Sequence, residues 1–344
     1  MRDVTVLITA CGNVYMPGTT ASIKNNGERN IRLIGADMNH DDTILQMADQ
    51  YYTVPRGDDP AYADVILDIC IKEHVDVVIP IMSAELETLA KNADKFAAAG
   101  VALSVSDLEP LKIANNKLAL FEYMQENNIP TARFCEVNCV EDVDKALETV
   151  GVPVVFKATE GSGSRGMRII DPSKSRFDIL FHEKPTSAYV TLKEFKETLQ
   201  EGAMPQMLAM EYLPGHEYTV DMLCENGKVL YSLCRRGLNV QTSIILDGVV
   251  EDKPEIIQLC NQVAESLKLT GNIGFDVKER ADGTPVIMEC NPRATAGISE
   301  FTASGVNLLY LNIKRCLGET LPELTPKYGV IMKRRYMEMY TDGI

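Results

Sequence analysis

The sequence predicts a mixed fold in which an α/β domain is followed by an α+β region. Residues 1 to about 112 alternate short apolar runs with helical patterns, which is typical of a doubly wound parallel sheet. From residue 207 onward the chain carries the turn signals of antiparallel hairpins, interspersed with helices. A chain of 344 residues has room for two or three domains, at a prior of roughly 150 residues for each.

The α/β domain contains four predicted strands and three predicted helices. The strands cover 4–10, 30–38, 75–81 and 101–105, and helices lie near 19–26, 60–73 and 83–95. Ligands of such sheets bind at the carboxyl ends of the strands. The loop after the first strand lacks a GxGxxG fingerprint, so Gly12 indicates an ordinary strand-to-helix turn better than a dinucleotide site.

The following segments predict a second group of elements. These are a helix over 113–128, strands over 153–159 and 167–170, and helices over 190–200, 254–268 and 302–317. A glycine- and serine-rich loop, residues 161–166 and called the glycine loop below, joins the two strands of this group. Such a loop is an ordinary linker or a set of backbone N–H donors for an oxyanion, and the loop alone does not decide between them.

Composition limits the classes of function. The chain has 34 basic and 49 acidic residues and a net charge of −15, which argues against a nucleic-acid partner because such binding depends mainly on neutralising phosphates. Its nine cysteines are odd in number and include no CxxC pair, which favours reduced thiols and a cytoplasmic location. No apolar run approaches the roughly 20 residues that span a bilayer, so we expect no membrane partner.

A hairpin near the C-terminal end predicts a metal site. If Asp282 and Gly283 form a two-residue turn, Asp276 lies opposite Glu289, with Asn291 on the same face. Opposed carboxylates about 5 Å apart require a cation or a raised pKa. All-oxygen ligands suit Mg²⁺ or Mn²⁺, and the alternative is a solvated acidic hairpin. The reverse face is apolar and favours the metal site: Phe275, Val277, Val286, Met288 and Cys290.

A second hairpin follows a break at Pro214-Gly215. The Asn226-Gly227 turn predicts that Glu217 pairs with Arg236 and that Asp221 pairs with Ser232. The plain interpretation of the first pair is a surface salt bridge. Upstream, Lys157 lies inside an apolar strand, which is rare for a lysine without a role.

The order of these pieces resembles the ATP-grasp superfamily. The motifs are Lys117, Lys157, the glycine loop, EYLPGHEYTVD and a hairpin ending in ECNPR, and the resemblance covers nearly the whole chain. NKLALFEYMQENNIPT and ECNPRATAG are most similar to the carbamoyl-phosphate-synthase-like branch, whereas the 13-residue spacing from Asp276 to Glu289 also resembles D-alanine–D-alanine ligases. The resemblance implies a Rossmann-like pre-ATP-grasp domain (1–112), a small lid subdomain (113–209) and a C-terminal subdomain with the metal site (210–344).

The resemblance implies a nucleotide site made of three parts. Lys117 and Lys157 would hold the α- and β-phosphates of ATP, and the glycine loop would close over the β- and γ-phosphates. The loop residues concerned are Gly161, Ser162, Gly163, Ser164 and Gly166. A hinge formed by Glu211, Tyr212 and Leu213 would bind adenine largely through backbone atoms, and Glu217 would bind the ribose hydroxyls.

The resemblance also implies a reacting centre. Asp276, Glu289 and Asn291 match the ligands of two Mg²⁺ ions, with Glu289 bridging both. Arg293 would stabilise the transferring γ-phosphate or an acyl phosphate, and Arg236 is a weaker candidate for anion contact. The substrate pocket is expected from residues 12–18, 81–85, 235–242 and 293–300.

The implied enzyme is a Mg-ATP-dependent ligase that joins a small carboxylate to an amine or thiol through an acyl phosphate. One alternative is a carbamoyl-phosphate-synthase-like protein that uses bicarbonate, although such synthases have two ATP-grasp units and this chain has one. Another alternative is an inert nucleotide-binding regulatory protein, against which the intact metal and lysine positions argue. A homodimer is an expectation from the family alone.

Overall fold

The computed structural model describes residues 1–161, 163–185, 187–241, 244–335 and 337–341. These residues form a parallel sheet followed by two antiparallel sheets. No helix within those ranges is both long and apolar enough to cross a membrane.

The N-terminal domain is a doubly wound sheet with the strand order β3-β2-β1-β4-β5. Its strands are β1 (Val4–Ile8), β2 (Ile31–Asp37), β3 (Gln50–Thr53), β4 (Val77–Ile79) and β5 (Ala102–Leu103). Its helices are α1 (Met16–Lys24), α2 (Tyr62–Glu73), α3 (Ser83–Lys91) and α4 (Ala93–Ala98). All strand pairs are parallel, and α1 and α2 pack on opposite faces. The four predicted strands are present; β3 was missed because its half-exposed Gln-Tyr-Tyr-Thr sequence lacks an apolar run.

The second sheet has the strand order β6-β9-β7-β8 and is antiparallel. Its strands are β6 (Phe134–Val137), β7 (Val154–Ala158), β8 (Arg168–Ile170) and β9 (Met207–Glu211). The helices of this region are α5 (Leu108–Asn115), α6 (Lys117–Glu126), α7 (Asp142–Val150), α8 (Arg176–His182) and α9 (Leu192–Leu199). The predicted single helix over 113–128 is wrong, because the extended Asn116 ends α5 and caps α6 by accepting a hydrogen bond from the Ala119 N–H.

The third sheet has the strand order β14-β13-β10-β11-β12-β15. Its strands are β10 (Glu217–Glu225), β11 (Lys228–Gln241), β12 (Ile244–Glu251), β13 (Gly271–Glu279), β14 (Pro285–Asn291) and β15 (Ile331–Lys333). Its helices are α10 (Pro254–Ser266), α11 (Ser299–Ala303) and α12 (Leu308–Cys316). One face packs against α10, whereas the other joins Leu223 and Leu233 to a core shared with α12 and the N-terminal sheet. The predicted domain boundaries stay a prediction, and the boundary between 209 and 210 falls within β9.

The hairpin of β10 and β11 differs from its predicted register. The predicted pairs, Glu217 with Arg236 and Asp221 with Ser232, are both wrong by one residue. A β-bulge near the Asn-Gly turn adds a residue to one strand, and this extra residue shifts every pair beyond it. Arg235 therefore takes the face of the sheet that the sequence assigned to Arg236.

The hairpin of β13 and β14 has the predicted pairing of Asp276 with Glu289, although its turn is different. The Arg280 N–H donates to the Thr284 carbonyl, so three residues form the loop where the sequence predicted two. A bulge next to Asp276 then places an extra residue, Met288, in β14 and restores the predicted pair. Met288 consequently lines a cavity and Val286 pairs with Lys278, so the predicted place of both residues on the face of Phe275 is wrong; Ile287 takes that place.

Candidate active site

A cavity of about 340 Å³ lies where the three sheets meet and contains most of the predicted site residues. Those that line it are Lys117, Lys157, Gly161, Gly163, Ser164, Glu217, Asp276, Glu289, Asn291 and Arg293. Ser162 lies outside the described residues. Five other predicted residues are not part of the lining: Gly166, Glu211, Tyr212, Leu213 and Arg236.

The carboxylates of Asp276 and Glu289 form the charged centre of the cavity. Asp276 accepts hydrogen bonds from the Thr219 hydroxyl at 2.9 Å and from the Asn291 amide at 3.1 Å. Burial, together with the negative charges of Glu289 and then Glu217, raises the pKa of Asp276 to about 8. Burial also opposes ionisation of Glu289, but the ammonium groups of Lys117 and Lys157 outweigh it and lower its pKa. The charge of this pair is therefore concentrated on Glu289.

This oxygen set fits a hard divalent cation. No group of three or more His, Cys, Asp or Glu side chains placed to hold a metal is found in the described part of the chain. The candidate set instead has two carboxylates and the Asn291 side chain, a combination that suits Mg²⁺ with further positions filled by water and phosphate. The Asn291 amide nitrogen faces Asp276 and its oxygen accepts from Arg293, so the amide must turn to present its oxygen to the ion. Burial and then the negative charge of Glu289 raise the pKa of Asp276, and a divalent cation between the two carboxylates would oppose both effects.

Two lysines converge on the carboxylates from the second sheet. Lys157 projects from β7, and burial, together with the positive charge of Lys117, lowers its pKa despite the attraction of Glu289. Lys117 is the first residue of α6; its Nζ lies 3.4 Å from Glu289 and donates to the Gly161 carbonyl at 3.1 Å. Its backbone N–H donates to the Thr159 carbonyl at 2.9 Å, which ties the start of α6 to the end of β7. Both lysines are thus held at the mouth of the glycine loop.

The described part of the glycine loop has an unusual backbone. Gly161, Gly163 and Gly166 have φ values of 108°, 69° and 74°, and Ser164 has a φ of 57°. This left-handed region is open to glycine and costs a residue with a Cβ about 1 kcal/mol or more. Gly166 packs on β7, since an added Cβ would lie 3.3 Å from the Cβ of Ala158. The glycines therefore let the loop turn sharply beside the lysines.

The predicted hinge lies beside the cavity. The Glu211 carboxylate accepts hydrogen bonds from the Arg280 guanidinium at 2.6 Å and 3.1 Å and from the Arg133 N–H at 3.0 Å. This carboxylate therefore braces β9 against the β13–β14 turn. Tyr212 lies near the Lys278 ammonium, which is 5.8 Å from its ring centroid, and Leu213 is buried. A role in binding adenine stays a prediction for all three residues.

Arg235 is a site residue that the sequence analysis missed. It lines the cavity, and its Nη1 and Nη2 donate to the Asp221 carboxylate at 2.9 Å and to the Thr295 hydroxyl at 3.0 Å. Arg236 points to the other face of the sheet and forms an ion pair with Glu251 at 2.8 Å. No sequence signal located the bulge that exchanges the two arginines.

A further arginine, Arg334, also lines the cavity and carried no motif. It follows β15, and its guanidinium lies 4.7 Å from the centroid of the Tyr15 ring of the N-terminal domain. Arg293 lies nearer the carboxylates and donates to the Asn291 amide oxygen at 2.9 Å and to the Ser83 hydroxyl at 3.2 Å. Each of the four segments predicted to form the substrate pocket contributes described residues to the lining.

A second cavity of about 780 Å³ adjoins the first at the carboxyl ends of the N-terminal strands. The two cavities share Asn13, Met82, Gly161 and Arg165 in their linings. At its floor the Asp37 carboxylate accepts from the Gly12 N–H at 2.8 Å. This bond ties the loop after β1 to the end of β2, and the absence of a dinucleotide site stays a prediction.

Comparisons with known proteins agree with the resemblance that the order of the sequence motifs indicated. Residues 203–337 match the family model for an ATP-grasp in the biosynthetic pathway with the Ter operon, and residues 6–104 match the PylC-like N-terminal domain. The carbamoyl phosphate synthase large chain of Clostridium acetobutylicum is 25% identical over 326 residues, which are 91% of this chain but 28% of that protein. The carbamoyl-phosphate synthase of Methanobrevibacter smithii is 22% identical over 72% of this chain and 62% of that protein. The chain thus spans less than two thirds of both curated relatives.

Solved structures show the same fold at low identity. N5-carboxyaminoimidazole synthetase from Staphylococcus aureus, complexed with ADP, has a TM-score of 0.70 and 16% identity over 93% of this chain and 78% of its own. L-amino acid ligase from Bacillus licheniformis has a TM-score of 0.67 and 18% identity over 92% and 75%. The biotin carboxylase domain of Hydrogenobacter thermophilus 2-oxoglutarate carboxylase, in complex with MgADP and bicarbonate, has a TM-score of 0.67 and 17% identity over 95% and 73%.

These relatives and structural neighbours confirm the predicted ATP-grasp fold with its Rossmann-like N-terminal domain. The solved structures include an L-amino acid ligase, and two of the three named here hold ADP or MgADP. These ligands are expected in a family that uses ATP and Mg²⁺. Residues 203–337 thus match an ATP-grasp family and residues 6–104 a PylC-like N-terminal domain, and the chain as a whole is similar to the carbamoyl-phosphate synthases.

Proposed function

We propose that this protein is a Mg-ATP-dependent, ADP-forming ligase that activates a small carboxylate as an acyl phosphate and transfers the acyl group to an amine or thiol. The observation that carries the proposal is the convergence of Asp276 and Glu289 with Lys117, Lys157 and Arg293 in one cavity. Three cations and two hard oxygen ligands in one place match the needs of phosphoryl transfer, in which positioning and charge stabilisation dominate.

The proposed reaction has two steps. A carboxylate oxygen of the substrate attacks the γ-phosphorus of ATP, the bond from that phosphorus to the β–γ bridging oxygen breaks, and ADP leaves. An amine then attacks the acyl carbon, the carbon–oxygen bond to phosphate breaks, and the inorganic phosphate carries away the proton of the amine. The first step replaces a poor leaving group, oxide, with phosphate.

Residues of this chain supply distinct parts of that chemistry. In the proposal Lys117 and Lys157 bind the α- and β-phosphates, and Arg293 faces the transferring group from its position beside Asn291. Asp276, Glu289 and Asn291 would hold Mg²⁺, which supplies Lewis-acid stabilisation of the phosphate oxygens when bound. The glycine loop excludes water, which would otherwise hydrolyse the acyl phosphate.

The ribose and adenine of the nucleotide are assigned to residues beside the carboxylates and at the end of β9. Glu217 lines the cavity on the strand next to Asp276 and is assigned to the ribose hydroxyls. Adenine binding is assigned to backbone atoms of residues 211–213, next to the end of β9. Small-molecule substrates, a cytoplasmic location and assembly as a homodimer belong to the same proposal.

A second candidate is a bicarbonate-dependent, carbamoyl-phosphate-synthase-like activity. The similarity to carbamoyl-phosphate synthases favours it. The adjoining cavity of about 780 Å³ favours a larger acid or acceptor, since bicarbonate does not need that space.

An ADP-release screen tests the proposal. Carboxylic acids are combined with pooled amines and thiols, bicarbonate with ammonia is one arm, and hydroxylamine is added to trap the acyl phosphate as a hydroxamate. Acid-dependent ADP release with hydroxamate formation supports the ligase, and carbamoyl phosphate formation supports the second candidate. Tight ATP binding without ADP release in any arm would identify an inert nucleotide-binding protein.

A further inference from the structure

One end of the cavity is rich in guanidinium groups. Arg235 and Arg334 lie beside residues 295–297 in the lining, with Tyr15 against Arg334, and Arg293 lines the same cavity nearer the carboxylates; we call the part formed by these three arginines the arginine end. The acidic residues in the lining, Glu217, Asp276 and Glu289, belong to the strands of the proposed metal and nucleotide site. The arginine end therefore attracts anions.

The three arginines differ in how their charge is compensated. Arg235 is neutralised by an ion pair with the fully buried Asp221 at 2.9 Å. Arg293 and Arg334 form no ion pair with a carboxylate within the described residues. Arg293 donates to hydroxyl, amide and backbone oxygens. Arg334 donates from Nε to the Ile245 carbonyl at 3.1 Å and from Nη2 to the Ala296 carbonyl at 2.5 Å.

The buried acid Glu300 does not take up the donors of Arg334. Glu300 is 3% exposed and interacts electrostatically with both Arg235 and Arg334. Neither of its carboxylate oxygens accepts a hydrogen bond from Arg235 or Arg334, and its distance to Arg235 Nε is 4.0 Å. The negative charge of Glu300 thus lowers the electrostatic free-energy cost of placing two guanidinium groups together. Because Glu300 accepts no hydrogen bond from Arg334, Arg334 can still bind a ligand.

Tyr15 and the two backbone carbonyls hold Arg334 in place. Its guanidinium lies over the Tyr15 ring, and its backbone N–H donates to the Leu246 carbonyl at 2.9 Å. A guanidinium fixed by stacking and backbone acceptors loses little side-chain entropy when it binds a planar anion.

From these contacts we propose that the acid substrate carries a second anionic group, a carboxylate or a phosphate, which Arg334 binds while the reacting carboxylate lies at Arg293. The inference rests on the proposed ligase function and narrows its substrate to dianionic acids. Arg334 is then a specificity-determining residue, because a substrate lacking the second anion leaves a half-buried guanidinium without a charge partner.

Matched acid pairs test the inference in the presence of MgADP. Thermal-shift titrations compare glutarate with butyrate and 3-phosphoglycerate with glycerate, for the wild type, Arg334→Gln and Arg335→Gln. Arg335 is the matched control, because its side chain is 72% exposed and lies 3.7 Å from Asp247 on the surface. We expect at least one dianion to bind about tenfold or more tightly than its monoanion, the effect of one charge-assisted hydrogen bond.

Arg334→Gln should abolish that preference without weakening monoanion binding, and Arg335→Gln should retain it. Equal binding of every matched pair, binding of neither member of any pair, or equal behaviour of the two variants would overturn the inference. If Arg334→Gln does not fold, as judged by circular dichroism, the inference is tested with Arg334→Lys and with the preference of the wild type for dianions over monoanions. The two dianions separate a carboxylate from a phosphate as the second group.

An ADP-release assay of the same acids and variants with MgATP separates this inference from the proposed function. If monocarboxylates support ADP release with a KM equal to that of their dianionic partners, the proposed ligase function is retained and the role of Arg334 is excluded. Dianion binding that depends on Arg334, without ADP release for any acid, would remove the ligase and leave the anion site.

Discussion

Thr219 pairs with Arg235 across β10 and β11, so this arginine shares a face of the sheet with the Asp276 that Thr219 contacts. Its neighbour Arg236 pairs with Tyr218 and points to the opposite face. Two adjacent arginines therefore have unrelated environments. One is fully enclosed with Asp221, and the other shares a half-exposed ion pair.

Substitution of the two arginines should have different costs. Arg235→Leu leaves the buried Asp221 carboxylate without its partner, and we expect the free energy of unfolding to fall by about 3–5 kcal/mol. Arg236→Leu removes an ion pair with side chains about a quarter exposed, and we expect a loss of less than about 1 kcal/mol. Urea unfolding of both variants measures the difference. Equal losses would contradict the observed register.

The carboxylate pair is tested by Glu289→Gln. We expect ADP release to fall by at least about two orders of magnitude, because the charge that holds the metal and balances the lysines is lost. The fold should be kept, as judged by circular dichroism, because an amide of similar shape replaces the carboxylate, but the melting temperature should fall because Lys117 and Lys157 lose their negative partner. Glu255→Gln, an exposed substitution on α10, is the matched control. Turnover at the wild-type level in Glu289→Gln would remove the metal assignment.

Lys157→Met separates stability from nucleotide binding. Burial lowers the pKa of Lys157, so the ionised side chain is unfavourable in the folded protein, and an apolar side chain of similar length should keep or raise the melting temperature. The Kd for ATP, measured by titration calorimetry, should rise about tenfold to a hundredfold through loss of a charged contact. The exposed Lys193→Met serves as the control. Unchanged ATP affinity in Lys157→Met would exclude it from the phosphate site.

Glu85 predicts a pH dependence of stability. Its side chain is 2% exposed and accepts hydrogen bonds from Thr9, Tyr62 and two backbone N–H groups. Burial nevertheless raises its pKa above that of a free glutamate. The folded state therefore binds this proton more tightly than the unfolded state, and its stabilising contribution is complete below the unfolded pKa of about 4.3 and is lost as the pH rises through the folded pKa.

The comparison with Glu85→Gln, which carries no titrating proton, isolates this effect. The variant should be less stable overall, because an amide cannot accept from all of the Glu85 donors. The difference in free energy of unfolding between wild type and variant should shrink as the pH rises from below 4 toward neutrality, as measured by urea unfolding at each pH. A difference that grows with pH would show that the folded pKa is lowered instead.

Much of the site could be predicted from sequence because the two irregularities of the β13–β14 hairpin, a longer turn and a bulge, cancel each other. Asp276 and Glu289 meet as predicted, yet the turn is one residue longer and a bulge at Met288 cancels the error. The hairpin before it has a single bulge without such compensation, so Arg236 was assigned to the face that belongs to Arg235. Side-chain alternation indicates which residues share a face, but an inserted residue leaves no mark in that pattern.

Other features depended on contacts that no local pattern contains. Arg334 reaches the cavity from the C-terminal segment through Tyr15 of the N-terminal domain, and the two are far apart in the sequence. Asn116 divides a helix that looked continuous, because its side chain caps α6 and its backbone is extended. The placement of Lys117 at the start of a helix, beside Glu289, follows from that break.

The enclosed position of Arg235 restricts how this site can change over time. Gly297 faces its guanidinium so closely that a Cβ there would lie 2.4 Å from the central carbon of Arg235. A protein with a side chain at this point must first move or lose the arginine, and Asp221 would then lack its charge partner. A side chain at position 297 therefore requires the Arg235 guanidinium to move away from the buried Asp221, so the substitution acts on a charge pair that position 297 does not itself belong to.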